Sequence, residues 1–170
     1  MRALLLAVLV SLAGCSAVGP GTPSPTTSTA DCTDPTESTV NPDRTGVAPK
    51  PIPDRPANLN ESSVREYVVA YEEVYTYNRI LSADTKRASV VTDDVSVQSS
   101  GDGFVVRLSM RWTASEQAVV EGNETATVVV ADSPTYAVAY RLTDRRLTRA
   151  ENGDYQKTPT VDGGETVECF

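Results

Sequence analysis

Histidine is absent from the 170 residues. No imidazole can act as base, acid or metal ligand, and the Ser–His and Cys–His relays of nucleophilic catalysis are excluded. The side chains that could do chemistry are therefore few. Three cysteines stand at positions 15, 32 and 169. Glu72 and Glu73 adjoin within "YVVAYEEVYTYN" and diverge by about 100° on a helix, so one of them, Glu72, lies nearer the apolar face. A carboxylate held there could serve as general acid or base if its pKa rose, but more commonly pairs with an arginine at a sheet edge. Tyr67, Tyr71 and Tyr75 recur at four-residue spacing, and Tyr136 and Tyr140 share one strand face. With Trp112 they could line a pocket for a small apolar or ring-bearing ligand; the alternative is a tyrosine-filled core with hydroxyls reaching water. Arg107, Arg111, Arg141 and Arg149 form a candidate basic stripe on the outer sheet face, or cross-strand pairs with carboxylates such as Asp94 and Glu116. Asp93-Asp94 and the "DGGE" at 162–165 lack the spacing of a calcium loop, and no glycine-rich phosphate loop follows a strand. No metal, no cofactor and no enzyme activity are expected.

Cys15 has a different setting. Arg2 precedes an apolar run from Ala3 to Gly14, interrupted by the hydroxyl of Ser11. As a helix that run covers about 18 Å, against a hydrocarbon core of about 30 Å. It is too short to span a bilayer and has the charged start and small-residue end of an export signal. Leu12-Ala13-Gly14-Cys15 resembles the lipobox of prokaryotic lipoproteins. The resemblance implies cleavage before Cys15, with residues 1–14 as signal peptide, and lipid attachment to the Cys15 thiol. It further implies anchorage to the extracellular face of the cell membrane, since two or more chains hold a protein firmly where one is marginal. Simple secretion with a cut near Ala17 is the other reading.

Export means an oxidising compartment, so Cys32 and Cys169 are expected to pair and staple the ends of the folded part. Fifteen lysines and arginines face 23 aspartates and glutamates, a net charge of −8. That balance argues against nucleic acid, whose phosphates want a basic face. With only three lysines, Lys50, Lys86 and Lys157, and the abundant acid, the chain resembles the secreted proteins of haloarchaea.

Residues 15–31, rich in Ser, Thr and Pro, read as a stalk. Nine of the eleven prolines lie before residue 57, so residues 32–57 read as a proline-rich strap and residues 58–170 as one globular domain. "PKPIPDRP" could be a polyproline ligand, but a strap lying along the domain is favoured. Val64, Tyr67, Val68, Tyr71, Val74, Tyr75 and Leu81 recur at three and four, which predicts a helix over 61–82. Asn60 can cap it, or Asn58 with Glu61. "ASVVTDDVSVQ", "FVVRLSMRW", "ATVVVAD", "TYAVAYRL" and residues 147–151 read as strands, with hairpin turns at "SGDG" and "TDRR".

The expected fold is α+β: one long N-terminal helix packed on a curved antiparallel sheet of four or five strands. This element order resembles NTF2-like and cystatin-like domains, and small uncharacterised haloarchaeal surface lipoproteins. The resemblance implies a fold and no activity. Asn60 and Asn123 open N-glycosylation sequons. The expected role is binding or structural at the cell surface, with the membrane and a small ligand or surface protein as partners. A small-ligand binder with a tyrosine-lined cavity is the first alternative, and an enzyme on an NTF2-like scaffold the second.

Overall fold

The computed structural model describes residues 46–118 and 127–170. Helix α1 runs Glu61–Arg79. Six antiparallel strands follow: β1 (Thr85–Ser100), β2 (Gly103–Ala118), β3 (Thr127–Asp132), β4 (Tyr136–Thr143), β5 (Arg146–Asn152) and β6 (Glu165–Cys169). They form one sheet in the order β1-β2-β4-β5-β6, with β3 also paired to β2. The helix packs across one face of it.

The helix starts where the backbone donors of its first turn find an acceptor. Asn60 Oδ1 accepts from the amides of Ser62 and Ser63, and Ser63 Oγ accepts in return from the Asn60 amide. The cap is thus Asn60, not Asn58. The helix ends three residues before the expected Ser82, with Ile80 as its C-cap. Ser82 is drawn into the next turn instead: its amide donates to Thr85 Oγ1 and its hydroxyl to Glu116 Oε1. Leu81 therefore lies past the helix rather than on its face.

Val64, Tyr67, Val68, Tyr71 and Tyr75 bury against Val106, Leu108 and Met110 of β2, Tyr136, Val138, Tyr140 and Leu142 of β4, Leu147 of β5 and Val167 of β6. Arg65 Nη1 donates to the Val95 carbonyl and Thr92 Oγ1 to Glu73 Oε1, which clips the helix to β1.

The apolar positions of β1, Val90 then Val95 and Val97, break strict alternation. A register shift between Thr92 and Asp94 absorbs Asp93 and returns all three valines to the helix side. Ser100 pairs with Gly103 across the two-residue turn Gly101-Asp102, in which Gly101 has φ +57. Gly103 also lies against β4: a Cβ there would collide with the Leu142 carbonyl oxygen.

One edge of β2 serves two partners. Residues 103–110 pair with β4 and residues 113–118 with β3. Strand β3 is exposed throughout, including Val128, Val129 and Val130.

Residues 46–57 lie along the domain. The Val47 amide donates to the Thr85 carbonyl, and Lys50 and Asn78 exchange two hydrogen bonds of 2.9 Å. Lys50 Nζ lies over the Tyr77 ring, the Arg55 guanidinium over the Phe170 ring, and Ile52 against the core.

The expected Cys32–Cys169 staple is corrected for the described residues. Cys169, exposed at the end of β6, is their only cysteine, so no disulfide closes among them. Cys15 and Cys32 lie outside them. The C-terminal strand is tied by, among others, the β5–β6 ladder, the Tyr71 hydroxyl on the Val167 carbonyl, and the Phe170 amide on the Arg145 carbonyl. Strand β6 itself carries one buried residue, Val167, too little to register as a strand in the sequence. Among the described residues, no helix is long and apolar enough to cross a membrane.

Gly103→Ala is expected to cost about 3 kcal/mol in urea unfolding, because the colliding atom is backbone and cannot swing away. Gly153→Ala, whose Cβ would meet nothing within 4 Å, should stay within about 0.5 kcal/mol of the parent. Equal effects at the two positions would contradict the close approach of β2 and β4.

Candidate functional site

Glu72 is fully buried on the sheet side of α1. Its two oxygens receive four hydrogen bonds. Arg149, on β5, donates from Nε to Oε2 at 2.8 Å and from Nη2 to Oε1 at 2.9 Å. The Tyr140 hydroxyl donates to Oε2 at 2.5 Å and Thr76 Oγ1 to Oε1 at 2.7 Å. A carboxylate has about four lone-pair sites, and here each has a donor. Glu72 therefore has no oxygen left for a substrate, and its role is the arginine partner rather than the acid or base.

Arg149 is only 6% exposed and does not lie on the outer face with Arg107, Arg111 and Arg141. The β4–β5 register places it opposite Tyr140, on the helix side. The expected stripe is corrected to this extent, and its other members are each engaged. Arg111 pairs with Asp93 at 3.2 Å, Arg141 with Asp162 at 3.5 Å, and Arg107 Nη1 reaches Gln98 Oε1. Burial alone would lower the Arg149 pKa, but its bonds to Glu72 outweigh that and raise it. Nη2 also reaches Glu151 Oε2 at 2.7 Å, and Arg79 Nη1 approaches the same oxygen at 3.8 Å. Two acids and two arginines thus alternate from the core to the surface.

The six aromatic residues singled out in the sequence separate into two groups. Tyr67, Tyr71, Tyr75 and Tyr140 fill the core. Tyr71 stacks on Tyr75 with centroids 6.1 Å apart and meets Tyr140 edge-on at 5.9 Å. Trp112 and Tyr136, the latter still part of the core, line a half-open cleft of about 300 Å³, together with Thr76, Arg79, Ile80, Ser133, Pro134, Glu151 and Gly153. The cleft opens where the edge of β2 changes partner, between Met110 and Thr113. In that gap Ser133 substitutes for a strand neighbour: its Oγ accepts from the Trp112 amide at 2.8 Å, and its own amide donates to the Trp112 carbonyl at 2.9 Å.

The cleft stands on the buried network. The Tyr136 hydroxyl lies 3.4 Å from Thr76 Oγ1. The single Thr76 proton goes to Glu72, so Tyr136 is the donor in that contact. Burial pushes the Tyr136 phenol up to about 12. It also raises Tyr67, Tyr71, Tyr75 and Tyr140.

Asn60, one of the two sequon asparagines, spends its Oδ1 on the helix cap; Asn123 lies outside the described residues. Among the described residues no group of three or more cysteine, aspartate or glutamate side chains could hold a metal ion. The sequence pointed to Glu72 with an arginine partner, but placed Arg149 in the outer stripe and did not single out Glu151 or Arg79. The two-residue turn at Asp144-Arg145 was the available signal, because it sets Tyr140 opposite Arg149.

Arg149→Met should cost about 3–5 kcal/mol in urea unfolding, since it strands the Glu72 carboxylate in the core. Adding Glu72→Leu should recover much of that loss. Additive losses in the double-mutant cycle would contradict the pair.

A second expectation concerns alkali. The raised phenols hold their protons in the folded chain at pH values where the unfolded chain, with phenols near 10, has lost them. Their contribution is present in full below about pH 10 and is lost as the pH rises through about 12 for Tyr136. Most of the phenolate absorbance should therefore appear together with loss of circular dichroism. Phenolate forming throughout an intact sheet near pH 10 would contradict the burial.

Comparison with protein-family models, with curated proteins and with solved structures finds no match for the chain.

Proposed function

We propose that this chain is a binding protein of the cell surface. In this reading it is exported by residues 1–14, held in the membrane by lipid on Cys15, and extended on the stalk to residue 31. Its α+β domain takes a small ligand in the cleft beside Trp112. The observation that carries the binding reading is the cleft itself. It has an aromatic side chain on each of two strands, and a polar floor whose hydrogen bonds are already made within the protein. Its volume, about 300 Å³, sits at the small end of ligand sites, which run from about 300 to 1,000 Å³.

A binding role also suits the state of the one carboxylate that could do acid–base work. Both Glu72 oxygens are occupied by Arg149, Tyr140 and Thr76, so its role is to hold the walls. The anchor has a separate basis, the Leu12-Ala13-Gly14-Cys15 run, and a separate consequence.

Cell fractionation tests the anchor, and a thermal-shift screen tests the site. Cys15→Ser should move the protein from the membrane fraction to the medium or the soluble fraction; membrane retention equal to that of the parent would refute lipidation. In a mixed small-molecule screen, compounds that raise the Tm of the parent should lose that effect on Trp112→Ala. Hits that act equally on both would place the binding elsewhere.

A further inference from the structure

The polar groups around the cleft differ in what they still have to offer. Arg79 is half exposed, and its one ion pair among the described residues, to Glu151, is long at 3.8 Å; its ring contact, over Tyr75, uses the face of the guanidinium and not its N–H groups. Most of its five donors are therefore available to a ligand. Glu151 spends Oε2 on Arg149 and Arg79 and leaves Oε1 as an acceptor. Tyr136 uses its proton on Thr76, so its oxygen keeps lone pairs to accept with. Ser133 Oγ accepts from the Trp112 amide, which leaves its own proton to donate.

Donors and acceptors are thus mixed around an aromatic wall, and the two formal charges cancel. The cleft also lies at the C-terminal end of α1, where the helix dipole is negative. An anionic ligand would find Arg79 but would face the Glu151 carboxylate and that helix end. A cationic ligand would face Arg79. A wholly apolar ring would bury Arg79 and Glu151 without replacing their water, at a cost in free energy. One chemistry meets every group: a ring whose hydroxyls each donate and accept, and whose C–H face can lie on an indole.

We propose that the cleft bounded by Trp112, Tyr136, Arg79 and Glu151 binds one pyranose ring of a neutral saccharide. The C–H face of the ring lies against Trp112. Its hydroxyls accept from Arg79 and Ser133 and donate to Glu151 Oε1 and the Tyr136 oxygen. The inference rests on the binding reading above and narrows it to a ligand class. The cleft admits one ring, so a longer glycan is held by a single residue or its end.

Trp112 is the only tryptophan in the chain, so its emission reports on this cleft alone. The full-length protein, solubilised in detergent, is titrated with methyl hexosides of glucose, galactose and mannose, and separately with benzoate and benzylammonium. At least one hexoside should shift the emission saturably at millimolar concentration, and neither charged ring should. Arg79→Met, at the exposed end of the ion-pair chain, should keep the parent Tm and weaken that hexoside by about tenfold or more. Saturable binding of benzoate or benzylammonium with no response to any hexoside would overturn the saccharide assignment and leave the binding reading standing. No response to any of the five probes would count against both. Unchanged hexoside affinity in Arg79→Met would overturn the geometry assigned here.

Discussion

The bidentate contact between Glu72 and Arg149 locks the helix to the sheet. It joins the middle of the helix to the fifth strand through two buried charges, and it has one geometry. A helix sliding by one residue would turn Glu72 away by about 100° and leave both charges stranded. Buried ion pairs contribute little net stability over a well-packed apolar pair, because desolvation offsets most of the attraction. What this pair supplies is alignment. With Tyr140 and Thr76 completing the carboxylate, four elements of the cleft acquire fixed places: the end of α1, Tyr136 on β4, Glu151 on β5 and, through the strand pairing, Trp112 on β2.

The cleft owes its existence to a different feature. A strand of 16 residues is longer than either partner on its second edge, so β4 and β3 divide that edge between them. Where one stops and the other has not begun, the sheet is open by two residues. Ser133 closes the backbone hydrogen bonds of that gap but brings little side-chain volume. The largest side chain of the chain, Trp112, stands there half-buried with room beside it. The pocket is therefore a product of strand lengths, with its chemistry set by the network below.

Much of this was legible in the residues. The three-and-four spacing of Val64, Tyr67, Val68, Tyr71 and Tyr75 marks the helix and its buried face, and the alternation from Phe104 to Trp112 marks β2 and its inward side. The rest was hidden for identifiable reasons. Strand β1 looked shorter because its two ends, Thr85-Lys86-Arg87 and Ser99-Ser100, carry no apolar residue, and its alternation breaks at Asp93, where a bulge resets the register. Strand β6 has one apolar position, so no periodicity exists to detect. In β5, Leu147, Arg149 and Glu151 share a face that two charges make look solvated. Only the partner across the core, Glu72, shows that face to be internal. Of the six aromatics, spacing could group Tyr67, Tyr71 and Tyr75. It could not separate Trp112 and Tyr136 from them, because that division follows from the gap along β2.

The strap before the helix has a mechanical side. The strap of residues 46–57 is fastened near its start, by the Val47 amide on Thr85 and by two bonds between Lys50 and Asn78. Along residues 46–57 those fastenings come before the helix, so a load carried by the strap reaches them first. They join the strap to the far end of α1 and the start of β1, so the load spreads over two elements instead of peeling one. Tension too weak to break three hydrogen bonds and the Lys50–Tyr77 contact leaves the cleft at the same helix end unstretched.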